Sequence, residues 1–305
     1  MSSPPAKRFD VLGLGCTAVD DLLYVPSAPP PDSKVRIERT ARQCGGLTGT
    51  ALVTAAHLGA RCAFAGCLGT DEFSQYVASH FTREGVDVSH APRMAEAAVV
   101  HSVIVVARNT GSRTIYYQVP GVMGAHDSLP PDDVIRDTKV LFIDHYGMSG
   151  NLRASRLARA AGASVVADFE DDPSPLFGEV MALVDHLILS EGFALRLTRA
   201  PNAADAAMSL WQASRAVVIV TCGKDGCWSV STGAPTAARH HPAFRIQAVD
   251  TTGCGDVFHG AYAAALAWEY PLERRIRFAA AAAALKAATC EIPRRIEVEQ
   301  LMARP

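Results

Sequence analysis

The run Asp250-Thr251-Thr252-Gly253-Cys254-Gly255-Asp256, followed by the helix-like Val257 to Leu266, concentrates the chemistry of this chain. Two glycines let backbone N–H groups turn inward where a side chain would collide with an oxyanion. A helix that starts there adds N–H groups without intrahelical partners and the positive end of its dipole, so an anion is favoured. A carboxylate in the same turn, Asp256, would repel that anion if binding were the only purpose. Its chemical use is as a general base, accepting the proton of a hydroxyl that attacks a terminal phosphoryl group held by the loop. The plain alternative is an acid near a helix start that caps it.

Asp250 to Asp256 resembles the carboxy-terminal signature of the ribokinase-like, or PfkB-type, carbohydrate kinases, with Cys254 where a small Ala is usual. The resemblance implies an α/β fold: a three-layer α/β/α sandwich with a mostly parallel central sheet, in one domain over 1–305, plus a small β-sheet lid with strands inserted at about 20–43 and 98–119. It implies ATP and magnesium as cofactors and phosphoryl transfer to an alcohol, usually a sugar hydroxymethyl group. Asp256 would be the base, with Gly253, Cys254 and Gly255 as the anion hole. Monovalent-cation activation by potassium through Asp250 and the Thr252 carbonyl is also implied, although the loop Ala287 to Pro293 is shorter than the glycine-rich one the family often carries. Around His241 to Ala263 the text looks closest to the ketohexokinase and sulfofructose-kinase side.

The elements that would position this turn are legible in outline. A chain of 305 residues, 49% hydrophobic, is ample for a large core. Net charge of -2 gives no footprint for nucleic acid or an anionic membrane surface. The 8 cysteines form no Cys-x-x-Cys pair and read as reduced core thiols, which fits a cytoplasmic protein. Met1 to Phe9 carries Lys7 and Arg8 but no signal-peptide core, and no run has the length of a membrane span.

Phe9 to Cys16 reads as a buried strand ending in Gly13-Leu14-Gly15-Cys16-Thr17-Ala18, which matches the dinucleotide fingerprint Gly-x-Gly-x-x-Ala. That fold needs a helix directly after the glycines, and Asp20 to Pro26 runs instead into a proline-rich loop. Asp20 falls where the resembling kinases keep an Asp that accepts sugar hydroxyls; an acceptor-only carboxylate suits a polyol, while Asp20 and Asp21 also read as solvated strand-end acids. Val35 to Arg42 alternates as a lid strand. Gly45 and Gly46, before a helix over Leu52 to Leu58, permit close backbone approach to a ligand or form an ordinary loop. Thr50 stands where the resemblance has an Asn.

Val99–Ala107 and Arg113–Val119 are β-branched runs around the hairpin signal Arg108 to Ser112. Arg108, Asn109 and Lys34 could face an anion but read as solvated. From Lys139 strands and helices alternate, as in a parallel sheet whose sites lie beyond the carboxyl ends of strands. Asp144, His145, Asp168 and Glu170 sit at such ends and could approach magnesium or substrate. Where the resemblance has Asn-x-x-Glu this chain reads Ser190-Glu191-Gly192-Phe193 and differs at both signature positions; Ser190 is a nucleotide candidate, and either Glu191 supplies a magnesium carboxylate from the neighbouring position or the metal relies on phosphate oxygens and water. Thr221-Cys222-Gly223-Lys224-Asp225-Gly226 resembles the family's nucleotide loop, with Thr221, Gly223 and Gly226 as contacts; a plain hairpin turn is the other reading.

The expected reaction is ATP-dependent phosphorylation of a primary hydroxyl on a neutral keto sugar or related polyol, since no arginine follows Val140–Ile143 to hold a sulfonate. A nucleoside kinase, with Tyr24, Tyr116 and Tyr117 lining a base slot, and a catalytically silent sugar-binding protein are the alternatives. The resemblance also implies a homodimer through the lid.

Overall fold

In the computed structural model, which describes residues 6–110 and 112–304, the first buried run becomes β1 (Phe9–Leu14), every residue of which is inaccessible. Met1–Pro5 of the amino-terminal run and Gly111 of the expected hairpin lie outside the described residues. Asp10 ties β1 into place: its carboxylate accepts from Arg61 N at 3.0 Å and pairs with Lys139 at 2.9 Å.

Around β1 the alternation of strands and helices closes a 9-stranded sheet. Its parallel part comprises β4 (Cys62–Phe64), β5 (Val86–Asp87), β8 (Thr138–Asp144), β9 (Ser164–Asp168), β10 (His186–Ser190) and β11 (Val217–Thr221), while β12 (Cys227–Ser231) and β13 (Ala234–His241) add an antiparallel edge. Successive side chains of a strand point to opposite faces, and the core divides accordingly. Val11, Val140, Phe142, Val166, Ile188 and Ile219 face one helix layer; Leu12, Leu141, Ile143, Val165, Leu187 and Val220 face the other. The first layer is α1 (Leu47–His57), α2 (Glu72–Arg83), α8 (Cys254–Ala267), α9 (Leu272–Thr289) and α10 (Arg295–Met302). The second is α3 (Asp132–Arg136), α4 (Met148–Ala160), α5 (Phe177–Ala182), α6 (Glu191–Thr198) and α7 (Ala203–Leu210). This is the three-layer α/β/α sandwich that the sequence implied. Among the described residues no helix is long and apolar enough to cross a membrane.

After Gly13 and Gly15 the chain enters β2 (Ala18–Val25), not a helix, which removes the dinucleotide reading. With β3 (Arg39–Gly45), β6 (Val100–Ala107) and β7 (Arg113–Gln118), β2 forms a separate 4-stranded sheet in the order β3-β2-β6-β7. The strand expected over Val35–Arg42 begins instead at Arg39, and α1 starts at Leu47, earlier than its apolar run suggested, because Gly46 at φ 86 takes the N-cap position.

Two helices bring the site together. Gly260 of α8 lies so close to α1 that a Cβ there would stand 2.1 Å from the Ala51 carbonyl oxygen. The same contact places Thr50 beside the first turn of α8. Overpacking of such a crossing costs about 1–3 kcal/mol, so Gly260→Val is expected to lower the unfolding free energy by that order, seen as a lower denaturation midpoint, and to depress activity, whereas an unchanged midpoint would show that the helices are not seated this closely.

Candidate active site

The signature turn lies against the carboxyl ends of β8, β9 and β10. Gly253 adopts φ 71 and caps α8 without a side-chain bond. Asp250 Oδ1 accepts from Thr252 N at 2.8 Å, Cys254 N bends back to the Thr251 carbonyl at 3.3 Å, and Val257 N closes the first helical bond to Gly253 at 2.9 Å. Among the described residues the N–H groups of Gly253, Gly255 and Asp256 have no backbone acceptor outside the helix ladder, and Gly255 faces open space. The expected donor set therefore changes at one position: Cys254 is partly engaged in the turn, and Asp256 N–H joins the free donors.

The Asp256 carboxyl group is held well above the usual carboxylate range by burial first and then by Asp168, with Glu170 and Asp144 adding to the effect and His259 opposing it. It stands 3.6 Å from the position a Cβ on Gly253 would take, and Thr50 Cγ2 stands 3.8 Å from that same point. Thr50, which stands in the family's Asn place, is thus beside the turn and presents a methyl group there.

The four strand-end groups separate by role. Asp144 is buried and fully committed, accepting from Cys16 N at 2.7 Å, Thr48 Oγ1 at 2.8 Å and Tyr146 N at 2.9 Å. It knits β1, α1 and the loop after β8. His145 lies against Tyr146, and its Nδ1 meets Glu170 N at the long distance of 3.5 Å. Asp168 is buried and pairs with His259 at 3.2 Å.

The lid resolves the two neighbouring acids. Asp21 is bound through Arg42 at 2.6 and 3.0 Å and His101 at 3.0 Å, so it serves the sheet. Asp20 points to the opposite face, where Gly45 lies so near that a Cβ would stand 2.6 Å from its Oδ2. Pairing across the sheet aligns Gln43, Asp20, Ser102 and Tyr117 in one row on that face. Leu22, Ala41, Ile104 and Ile115 form the next row, and Tyr24, Arg39, Val106 and Arg113 the one beyond. Burial pushes Asp20 up, with Ser102 and Gln43 hydrogen bonds opposing. Of the three tyrosines, Tyr24 and Tyr117 share this face, whereas Tyr116 falls on the other; Tyr24 is covered by Arg39 at 3.9 Å.

On the other flank, Ser190 and Thr221 are register partners at the ends of adjacent strands. The Ser190 hydroxyl caps α6 by accepting from Phe193 N at 3.3 Å, and Thr221 Oγ1 reaches the Leu189 carbonyl at 3.4 Å. Gly223 and Gly226 have φ 56 and 87; Gly223 borders open space, while a Cβ on Gly226 would strike the His241 carbonyl at 2.0 Å. The loop is thus a built turn with Gly223 as its open position. Past it lies a cavity of about 660 Å³ lined in part by Phe244, Ile276, Ala280, Arg239 and Arg277. None of Asp144, Asp168, Glu170 and Asp256 lines this cavity.

Among the described residues no three His, Cys, Asp or Glu side chains gather as a metal cage. Glu191 stands exposed at the start of α6 beside Cys222; one open carboxylate suits magnesium, which keeps phosphate and water oxygens as its other ligands. The monovalent-cation arrangement does not fit. Arg113, from the lid, pairs with the Asp250 carboxylate, which also accepts from Thr252 N; Arg113 thereby supplies the positive charge that a bound ion would bring.

Sequence reasoning missed His259, Gln43, Ser102 and Arg113. His259 had a usable signal, one helical turn after Asp256; the others depend on strand register.

The profile of the pfkB family carbohydrate kinases matches residues 11–290. The ribokinase of Haemophilus influenzae is 28% identical, the match covering 95% of this chain and 97% of the relative, and fructokinase-1 of Oryza sativa subsp. japonica is 27% identical over 85% and 88%. The structure of Arabidopsis thaliana ribokinase complexed with ribose and ATP superposes with a TM-score of 0.85 at 22% identity, covering 99% of this chain and 100% of that one. The chain belongs to the PfkB family of ribokinase-like carbohydrate kinases.

Because Arg113 already neutralises Asp250, turnover is expected to agree within about two-fold in potassium, sodium and choline chloride, and a cation response to emerge only in Arg113→Ala. Strong potassium stimulation of the unaltered enzyme would contradict this assignment.

Proposed function

We propose that the protein transfers the terminal phosphoryl group of ATP to a primary hydroxyl of a neutral keto sugar or polyol, with Asp256 as the general base. The observation that carries this reading is the juxtaposition of the Asp256 carboxyl group with the free N–H groups at the start of α8. The terminal phosphoryl group sits against Gly253, Gly255 and Asp256 N–H, where the helix dipole and unpaired donors offset the charge that develops during transfer. The acceptor hydroxyl lies between that group and Asp256. A carboxyl group raised by burial and by Asp168 is a better proton acceptor than an exposed one, provided that it is ionised when the alcohol arrives.

The nucleotide lies along Ser190, Thr221, Gly223 and Gly226, with its base toward the apolar wall of Phe244, Ile276 and Ala280. Magnesium, when bound, is held by phosphate oxygens, water and Glu191 and neutralises phosphate charge. The acceptor's remaining hydroxyls face the row Gln43, Asp20, Ser102 and Tyr117, with Gly45 and Gly46 giving backbone access and Thr50 closing the side. The two arginines on the lid's inner face are engaged with Tyr24 and Asp250, which favours a neutral acceptor over a sugar acid or sulfonate.

Loss of a general base costs on the order of 10²–10⁴-fold in rate. ADP release from magnesium-ATP, measured against ketoses, aldoses, sugar acids and nucleosides, is expected with a neutral sugar or polyol and to collapse by that order in Asp256→Asn. A nucleoside as the sole acceptor would replace the sugar by a ribosyl base. No turnover on any acceptor, with sugars still raising the melting temperature, would mean a silent binding protein.

We further propose a homodimer through the lid. Strand β7 is an open edge exposed along its length, and Ile115, Tyr116, Tyr117 and Val119 leave apolar surface there. Sedimentation is expected to give twice the 32.4 kDa chain mass, reverting to a monomer in Tyr116→Lys; a monomeric unaltered protein at micromolar concentration would rule out this assembly.

A further inference from the structure

His259 lies one turn beyond Asp256 on α8 and is 3% exposed, with its ring edge-on to Phe142 and Phe258. Its Nδ1 stands 2.8 Å from the Gly255 carbonyl oxygen and 3.2 Å from Asp168 Oδ2, and its Nε2 stands 3.1 Å from the Ile188 carbonyl oxygen. Carbonyl oxygens only accept, and a neutral imidazole has one N–H to donate. Both carbonyl contacts are hydrogen bonds only when both ring nitrogens carry hydrogen. The ring is then a buried cation, and among the described residues it is the one basic side chain within ion-pair reach of Asp168.

We propose that His259 is a positioning residue for phosphoryl transfer: it ties the Gly255 carbonyl and β10 to the first turn of α8, and it sets a positive charge between Asp168 and Asp256. The first action keeps the N–H groups of the turn aimed at the cleft, because a peptide whose carbonyl is anchored cannot rotate its plane. The second offsets the repulsion that three neighbouring acids impose on Asp256. Around Asp256 the titratable groups are Asp168 and Glu170 at and after β9, Asp144 at the end of β8, Cys16 after β1, and Cys254 and His259 on its own helix; of these His259 alone lowers the affinity of Asp256 for a proton. Removing it leaves Asp256 protonated to higher pH, so the acidic limb of the rate profile moves upward.

This inference rests on Asp256 as the base, and the test separates the two. The pH profiles of kcat and kcat/KM would be compared for the unaltered enzyme, His259→Asn, His259→Phe and Asp256→Asn. For His259→Phe, kcat is expected to fall about ten-fold or more with acceptor KM within about three-fold, and the acidic limb of kcat/KM to rise by about one pH unit. His259→Asn, which keeps an N–H donor without a charge, is expected to recover part of kcat but leave the limb displaced. Nitrogen NMR of the unaltered protein, with the His259 resonances identified from the Asn variant, is expected to find both ring nitrogens protonated at neutral pH. A singly protonated ring, or variants with an unmoved limb, would overturn the electrostatic role even if Asp256→Asn is inactive. An active Asp256→Asn would instead remove the base on which the inference stands.

Discussion

One constraint governs this molecule: several acidic groups crowd together where the central strands end and α8 begins. Asp144, Asp168 and Asp256 converge at the carboxyl ends of the central strands, where burial makes their charges costly, and the exposed Glu170 adds its repulsion to Asp256. The fold meets this cost with hydrogen-bond donors, a neighbouring imidazole and a helix dipole. Asp144 is absorbed by the N–H groups of Cys16 and Tyr146 and the Thr48 hydroxyl. Asp168 faces His259. The first turn of α8 then presents its positive end where Asp256 stands.

That arrangement depends on close helix packing that small residues permit. Gly13 lies under α1, where a Cβ would stand 2.6 Å from Leu52, and Gly260 abuts Ala51. The turn and Thr50 can meet only because both helices press this near to the sheet and to each other. The alanines of α8 and α9 act in the same way, filling the layer without forcing the axes apart.

Strand register orders the lid. Its inner face passes from polar to apolar to cationic rows, and the cationic row ends at the signature turn through Arg113 and Asp250. Lid and turn are therefore joined by an ion pair within one chain.

The signature Asp250 to Asp256 was legible because its glycines and acids are contiguous: turn, helix start and carboxylate all follow from local chemistry. The alternation after Lys139 likewise disclosed the parallel sheet, and the missing helix after Gly15 excluded a dinucleotide fold. The sequence alone could not choose between Asp20 and Asp21, because adjacent strand residues differ only in the face they take, and the sheet's pairing decides that. Nor could it show that Asp144 is consumed by structure, that Ser102 and Gln43 line up with Asp20, or that Arg113 answers Asp250. Those are contacts between groups far apart along the chain. Residue type and spacing determined what chemistry the chain contains; tertiary packing decided which charges are neutralised and which remain free to act.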